Sequence, residues 1–198
     1  MTDYGKIYDG ITKAIWGYFF LYFDFNLGTI SVLKSFVGYI LFLKAIDLLE
    51  DEERELSLLK TLGLILVVWD VIEWLANCIG YSFNSNWKFV TLIVGLVNLY
   101  FHFQFITNIA SIAKKHQWDG CMFNESLLRY RTAQTILLTV ILVISNFNFL
   151  PDELWIYIPL AISIIYLIVG IYIMIVLNQL RKNLKTNETI ADEDNIEA

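Results

Sequence analysis

The chain has 198 residues, 57% hydrophobic and 17% charged, with a formal net charge of −6 at pH 7. Soluble domains average about 45–50% apolar and about 25% charged residues, and at this length a water-soluble fold buries only about 70% of its unfolded surface, too little to hide the excess. A soluble enzyme domain, a disordered chain and a nucleic-acid-binding protein are excluded on these grounds, and the composition predicts an integral membrane protein.

A membrane-spanning helix needs about 20 mostly apolar residues. The first apolar run, 11–27, is short and holds Lys13 and Asp24, so it predicts a short span, a re-entrant segment or a helix lying in the interface. No cleavable secretory signal is expected before it. Asp24, Asn26, Gly28 and Thr29 are turn and cap formers and predict an outer hairpin turn. A second run covers 36–49 and extends back through Ile30, Val32 and Leu33. The run 50–55, five acids with Arg54, predicts a solvated turn. Longer spans follow at 58–80, 89–112, 133–150 and 154–177. Between the fourth and fifth lies a connector, about 113–132, with a turn signal at Asp119-Gly120. Pro151 stops the fifth span, and Asp152 is suited to cap the sixth. The reading is an all-α polytopic transmembrane helix bundle of six helices, or five if 11–27 is interfacial or re-entrant. Residues 1–185 form a single transmembrane domain, and 186–198 form an acidic disordered cytoplasmic tail.

Charge placement orients the bundle. With six spans, Lys6, Lys13, Lys44, Arg54, Lys60, Lys114, Lys115, Arg129, Arg131, Arg181, Lys182 and Lys185 fall on one side, and only Lys34 and Lys88 on the other. The positive-inside rule therefore predicts a plasma-membrane protein with both termini cytoplasmic. Trp87, Trp155 and Tyr157 fall at outer helix ends, where amphipathic rings sit at headgroup level.

The stretch Asp24, Asn26, Gly28, then Leu33, Phe36, Gly38, Tyr39, Ile40 and Leu41, carries a recognisable pattern. It resembles an Asp-x-Asn-x-Gly turn followed by Leu-Pro-Asp-Phe-x-Gly-Tyr-Ile-Leu, found near the N-terminus of small uncharacterised bacterial multi-helix integral membrane proteins. Lys34 and Ser35 stand where that pattern has Pro-Asp. The resemblance covers about 20 residues and implies an N-terminal helical hairpin and no activity.

Ionisable groups at the centre of a membrane helix cost about 2.5–3.5 kcal/mol each on insertion scales and mark functional sites. Asp70, Glu73 and Asn77 share one helical face in the third span, and Thr91, Gly95, Asn98 and His102 share one in the fourth. A short loop joins the two spans, so the stripes are expected to face each other, Asp70 level with Asn98 and Glu73 opposite Gly95. Asp70, Glu73, Asn77, Asn98 and His102 then form a candidate intramembrane proton or cation site, or a hydrogen-bonded lock between helices. Thr135, Thr139 and Asn146 recur at helical spacing as backbone-bonding residues. No hydrolase, P-loop or metal-ligand motif is present, and Cys78 and Cys121 fall on opposite sides of the bilayer. No enzyme activity, metal or cofactor is expected. The expected partners are the lipid bilayer and either a membrane-protein partner or further copies of this chain, with no nucleic acid. Two functions remain open: a small transporter or proton/cation permeation unit using Asp70 and Glu73, and a non-catalytic membrane subunit, sensor or immunity-type protein whose polar seam is structural.

Overall fold

A computed structural model describes residues 3–23, 26–27, 30–31, 35–80, 87–118, 120–146 and 157–197, the side chains of 26–27, 30–31 and 187–197 excepted. Asp24, Gly28, Lys34, Asp119, Pro151, Asp152 and Trp155 lie outside this description. Six helices account for most of it: α1 (Tyr4–Tyr22), α2 (Ser35–Leu49), α3 (Leu59–Cys78), α4 (Lys88–His116), α5 (Phe123–Asn146) and α6 (Tyr157–Glu197). A two-residue antiparallel ladder, β1 (Asn26–Leu27) with β2 (Ile30–Ser31), lies between α1 and α2, and a 3₁₀ turn, Arg54–Leu58, leads into α3. Local chemistry sets several ends. The Asp3 carboxylate accepts the Lys6 N–H at 3.0 Å and opens α1. Lys114, Lys115 and His116 occupy the last turn of α4, where cations oppose the helix dipole. Thr135, Thr139 and Asn146 donate to the carbonyls of Arg131, Thr135 and Leu142, so their polarity is consumed within α5 as expected.

Successive helices run antiparallel. Gly17 meets Gly38 between α1 and α2, and Leu43 meets Gly63 between α2 and α3. Arg131 of α5 donates to Thr107 of α4 at 2.9 Å and lies over Phe103. Tyr130 of α5 stacks on Tyr172 of α6, and Arg181 of α6 covers Tyr8 of α1. The up-down order brings α1's start, the 50–58 linker, the 117–122 loop and the second half of α6 to one end, the terminal end. Trp87 and Tyr157, both exposed, open α4 and α6 at the far end.

Packing density differs between the two ends. Buried apolar residues concentrate toward the terminal end: Ile7, Ile11 and Ala14 of α1; Phe42, Ile46 and Leu49 of α2; Phe105, Ile109 and Ala113 of α4; and Leu177, Leu180 and Leu184 of α6. Large apolar residues are instead exposed along α3, α4, α5 and α6, among them Leu64, Val68, Ile72, Ile93, Leu96, Val140, Ile164 and Ile168. Soluble proteins rarely expose contiguous apolar surface on this scale. By length and composition three helices can cross a membrane: α4, α5 and the 157–186 part of α6. The other three expected spans form helices without joining that set. At 15 residues α2 is only about 22 Å long, and α1 and α3 carry Lys13, Lys60, Asp70 and Glu73 within their lengths.

The acidic run is the largely exposed turn expected, and it also grips the terminal end of α4. The Glu53 carboxylate accepts from Ser111 at 2.6 Å and from Lys115 at 3.2 Å, Lys115 also reaches the Glu52 carbonyl, and His116 Nε2 lies 3.0 Å from Glu52. Asp51 pairs with Lys6, and Lys60 with Asp47 and Glu50. Helical spacing within α4 presents Ser111 and Lys115 one turn apart, and only the fold brings the linker to them. The expected disordered tail is helical to Glu197, because an established helix extends without a second nucleation cost.

Gly17 and Gly38 allow the tightest helix pairing. A Cβ on Gly38 would stand 2.8 Å from the Gly17 carbonyl oxygen, a backbone atom that cannot rotate away. Gly→Ala inside a helix ordinarily stabilises by up to about 1 kcal/mol. Here Gly38→Ala is expected to lower the melting temperature, and an unchanged or raised Tm in a thermal melt would refute the close approach. The hydrogen bond from Ser111, with help from Lys115, holds the Glu53 carboxyl below its ordinary value of 4.5 against partial desolvation. A depressed folded-state pKa adds stability above the unfolded value and loses it as pH falls through the folded one. The stability gap between wild type and Glu53→Gln, about 1 kcal/mol at neutral pH, should therefore close progressively below pH 4.5 in denaturant titrations.

Candidate functional site

At 100° per residue, Asp70, Glu73 and Asn77 continue the face of α3 that carries Leu59, Gly63 and Leu66. Leu59 and Leu66 are buried, and a Cβ on Gly63 would touch Leu43 of α2 and Phe101 of α4, so this face points into the bundle. Along it burial falls toward the far end. Leu66 is buried, Asp70 is half-buried, and Glu73 and Asn77 are exposed. At that level the buried residue of α3 is Ala76, one residue and about 100° from Asn77, so Glu73 and Asn77 lie on exposed surface.

The α4 stripe behaves similarly. Thr91 is exposed and bonded to its own helix backbone, whereas His102 is only 2% exposed. Between them, Asn98 accepts a hydrogen bond of 2.8 Å from the Tyr39 hydroxyl of α2. Asp70 lies within electrostatic reach of the same tyrosine. Asn98, through this bond, and Asp70, through its charge, thus both act on Tyr39. His102 sits one turn deeper among Tyr18, Tyr39, Phe42 and Phe101, at ring-centroid distances of 5.4–6.1 Å.

The expected pairing of Glu73 with Gly95 does not occur. The space beside Gly95 is taken by Leu142 of α5, because α4 packs more extensively on α5 than on α3. The five predicted residues thus divide into Asn98 bonded to Tyr39 with Asp70 in electrostatic reach of it, Glu73 and Asn77 on exposed surface, and His102 in an aromatic box. Tyr39 was missed as a site residue because a tyrosine within an apolar run reads as packing mass.

A second polar group lies across the bundle. Gln134 of α5, 1% exposed, donates to the Tyr22 hydroxyl at 3.0 Å. The Tyr166 hydroxyl of α6 joins this contact, and Tyr22 packs over Gly170. Tyr18 stacks on Tyr22 and faces His102, linking the two groups. Each of the six helices thus places at least one polar side chain in a central layer. Gln134 was legible as a polar residue in an apolar span, but Tyr18, Tyr22 and Tyr166 carried no separate signal.

Toward the far end this layer opens. A crevice of about 260 Å³ between α4 and α5 is lined by Lys88, Thr91, Gly95, Asn98, Leu138, Ile141, Leu142, Ser145 and Asn146. A second, also about 260 Å³, lies between α5 and α6 and shares Ile141 and Ser145 with the first. Among the described residues no three of His, Cys, Asp and Glu gather as metal ligands. No protein-family model, curated protein or solved structure matches the chain.

The Tyr39–Asn98 bond is a neutral hydrogen bond in an apolar layer, worth about 1 kcal/mol net. In a double-mutant cycle with Tyr39→Phe and Asn98→Leu, a coupling near that value is expected from thermal or denaturant unfolding. Additive effects would place the two side chains out of contact.

Proposed function

We propose that this chain is a six-helix integral membrane protein of the plasma membrane, with both termini cytoplasmic, and that it is a small non-enzymatic transport or permeation unit for protons or small cations. The observation that carries this reading is the crevice between α4 and α5 that ends on Asn98, which bonds Tyr39, itself within electrostatic reach of Asp70. An opening that reaches a hydrogen-bonded polar residue between helices is an arrangement a translocation site can use. Glu73 and Asn77, exposed on α3, are the further polar groups of the helix that carries Asp70.

The orientation rests on the distribution of Lys and Arg, twelve of the 14 at the terminal end in the six-span reading. The dry aromatic packing around His102 favours a second reading, in which the polar layer fixes helix register in a non-catalytic subunit. Flux decides between the two.

In a background lacking Cys78 and Cys121, cysteines placed at Glu73 and Asn77 should react with a membrane-impermeant maleimide added from outside, and one placed at Ile72 should not. In proteoliposomes, Asp70→Asn with Glu73→Gln should reduce proton or cation flux at least tenfold. Unchanged flux in the double variant, with the protein folded, would leave the structural reading.

A further inference from the structure

The carboxylates of the terminal end are matched to lysines and a histidine: Asp51 to Lys6, Asp47 and Glu50 to Lys60, Glu53 to Lys115, and Glu52 to His116. Two arginines at the same end have no carboxylate within ion-pair distance among the described residues. Arg131 of α5 is half-buried in the seam with α4, its guanidinium 4.3 Å from the Phe103 ring centre and its Nη1 donating to the Thr107 hydroxyl at 2.9 Å. Arg181 of α6 is half-buried in the seam with α1, 5.5 Å from the Tyr8 ring centre, and its Nη2 donates to Asn178 at 2.7 Å. In both, Nε is buried without a hydrogen-bond partner. The third nitrogen, Nη2 of Arg131 and Nη1 of Arg181, makes no hydrogen bond and is not buried.

Their depth identifies the missing anion. Thr107, which holds Arg131, stands about 20 residues after Trp87, or about 30 Å along α4, one hydrocarbon thickness. Arg181 stands about 24 residues after Tyr157, or about 36 Å along α6. Both guanidinium groups therefore reach the headgroup level of the terminal-end leaflet, where lipid phosphates lie. A planar guanidinium can stack on an aromatic ring and still present N–H groups in a fork that fits phosphate oxygens. One neutral hydrogen bond and one ring leave its full charge uncompensated, and a half-buried charge requires an opposite one. Toward the membrane centre, α5 exposes Ile136 and Val140 and α6 exposes Ile168, Ile171 and Ile175, apolar surface suited to acyl chains.

We propose that Arg131 and Arg181 are phosphate anchors, each seating the headgroup of an anionic phospholipid of the terminal-side leaflet at a seam of the bundle. The ligand chemistry is a phosphate oxyanion accepting from the open Nη, and the apolar surface beside it selects the lipid over the free ion. The anchors rest on the membrane reading given above and are indifferent to transport. They tie the stability of the bundle to the lipid composition of one leaflet.

The test melts the full chain, purified in maltoside micelles, with phosphatidylglycerol, phosphatidylcholine or inorganic phosphate added. Phosphatidylglycerol should raise Tm by several degrees, phosphatidylcholine should raise it less, and phosphate ion should leave it unmoved. Arg131→Met and Arg181→Met, whose long side chains still fill the seams, should each remove part of the phosphatidylglycerol rise and together remove all of it. Arg129→Gln, at the same level on an exposed face of α5, should keep the rise. An equal loss in Arg129→Gln would reduce the effect to overall charge and overturn the anchors. So would Met variants that melt lower yet respond fully to phosphatidylglycerol, the mark of arginines that serve packing alone. A rise reproduced by inorganic phosphate would overturn the lipid as ligand. Where a Met variant does not fold, Arg131→Lys and Arg181→Lys keep the charge and lose the fork. Phosphatidylglycerol retained by them in native mass spectrometry should fall about threefold or more, and unchanged retention would overturn the anchors. If the wild-type chain fails to float with liposomes in a density gradient, the membrane reading falls and the anchors with it. If it floats and phosphatidylglycerol leaves Tm unmoved, only the anchors fall.

Discussion

The approach of α1 to α2 at Gly17 and Gly38 is the constraint on which the central layer depends. With no side chain on either residue, the two backbones come close enough that each glycine's missing Cβ would meet the other's carbonyl oxygen. Between membrane helices the lipid competes for apolar contact as well as any side chain does, so close backbone packing carries much of the association. That pairing places Tyr18 edge-on to Phe42, and together the two rings form the wall against which His102, Phe101 and Phe105 pack. A separation larger by one methyl group would loosen every ring contact in this box and move Tyr39 away from Asn98.

The bundle above and below that layer obeys different rules. Toward the terminal end the helices converge, the core is apolar and fully buried, and an ion-pair clasp from the 50–55 linker ties α4 to the α2–α3 corner. Toward the far end Glu73, Asn77, Thr91 and Ser145 add polar groups, and crevices open between α4, α5 and α6. The aromatic residues serve both halves, as packing mass below and as hydroxyl carriers at the boundary.

Much of the architecture was legible in the residues. Long apolar runs, a short acidic break and a Gly-containing turn were enough to locate six helices, because burying or solvating a backbone leaves few options besides the helix when flanking residues are apolar. The common face of Asp70, Glu73 and Asn77 on α3 was legible too, since 100° per residue determines which side chains share a face. The contact between Glu73 and Gly95 was misread because a shared loop says that two helices are neighbours, and not which stripe of one meets which stripe of the other. The clasp was missed for a related reason: five acids within six residues look merely solvated until Ser111, Lys115 and His116 arrive from a helix some 60 residues away.

The sequence by itself determined the helical elements, their apolar faces and the grouping of positive charge, because these follow from local hydropathy and a fixed helical period. Only the tertiary structure decided that Tyr39 bonds Asn98, that Gly95 receives Leu142, and that Tyr18 packs against both His102 and Tyr22. Helix rotation and neighbour choice come from interdigitation of side chains across several helices at once, and glycines such as Gly17 and Gly38 set those distances through contacts that no single segment contains.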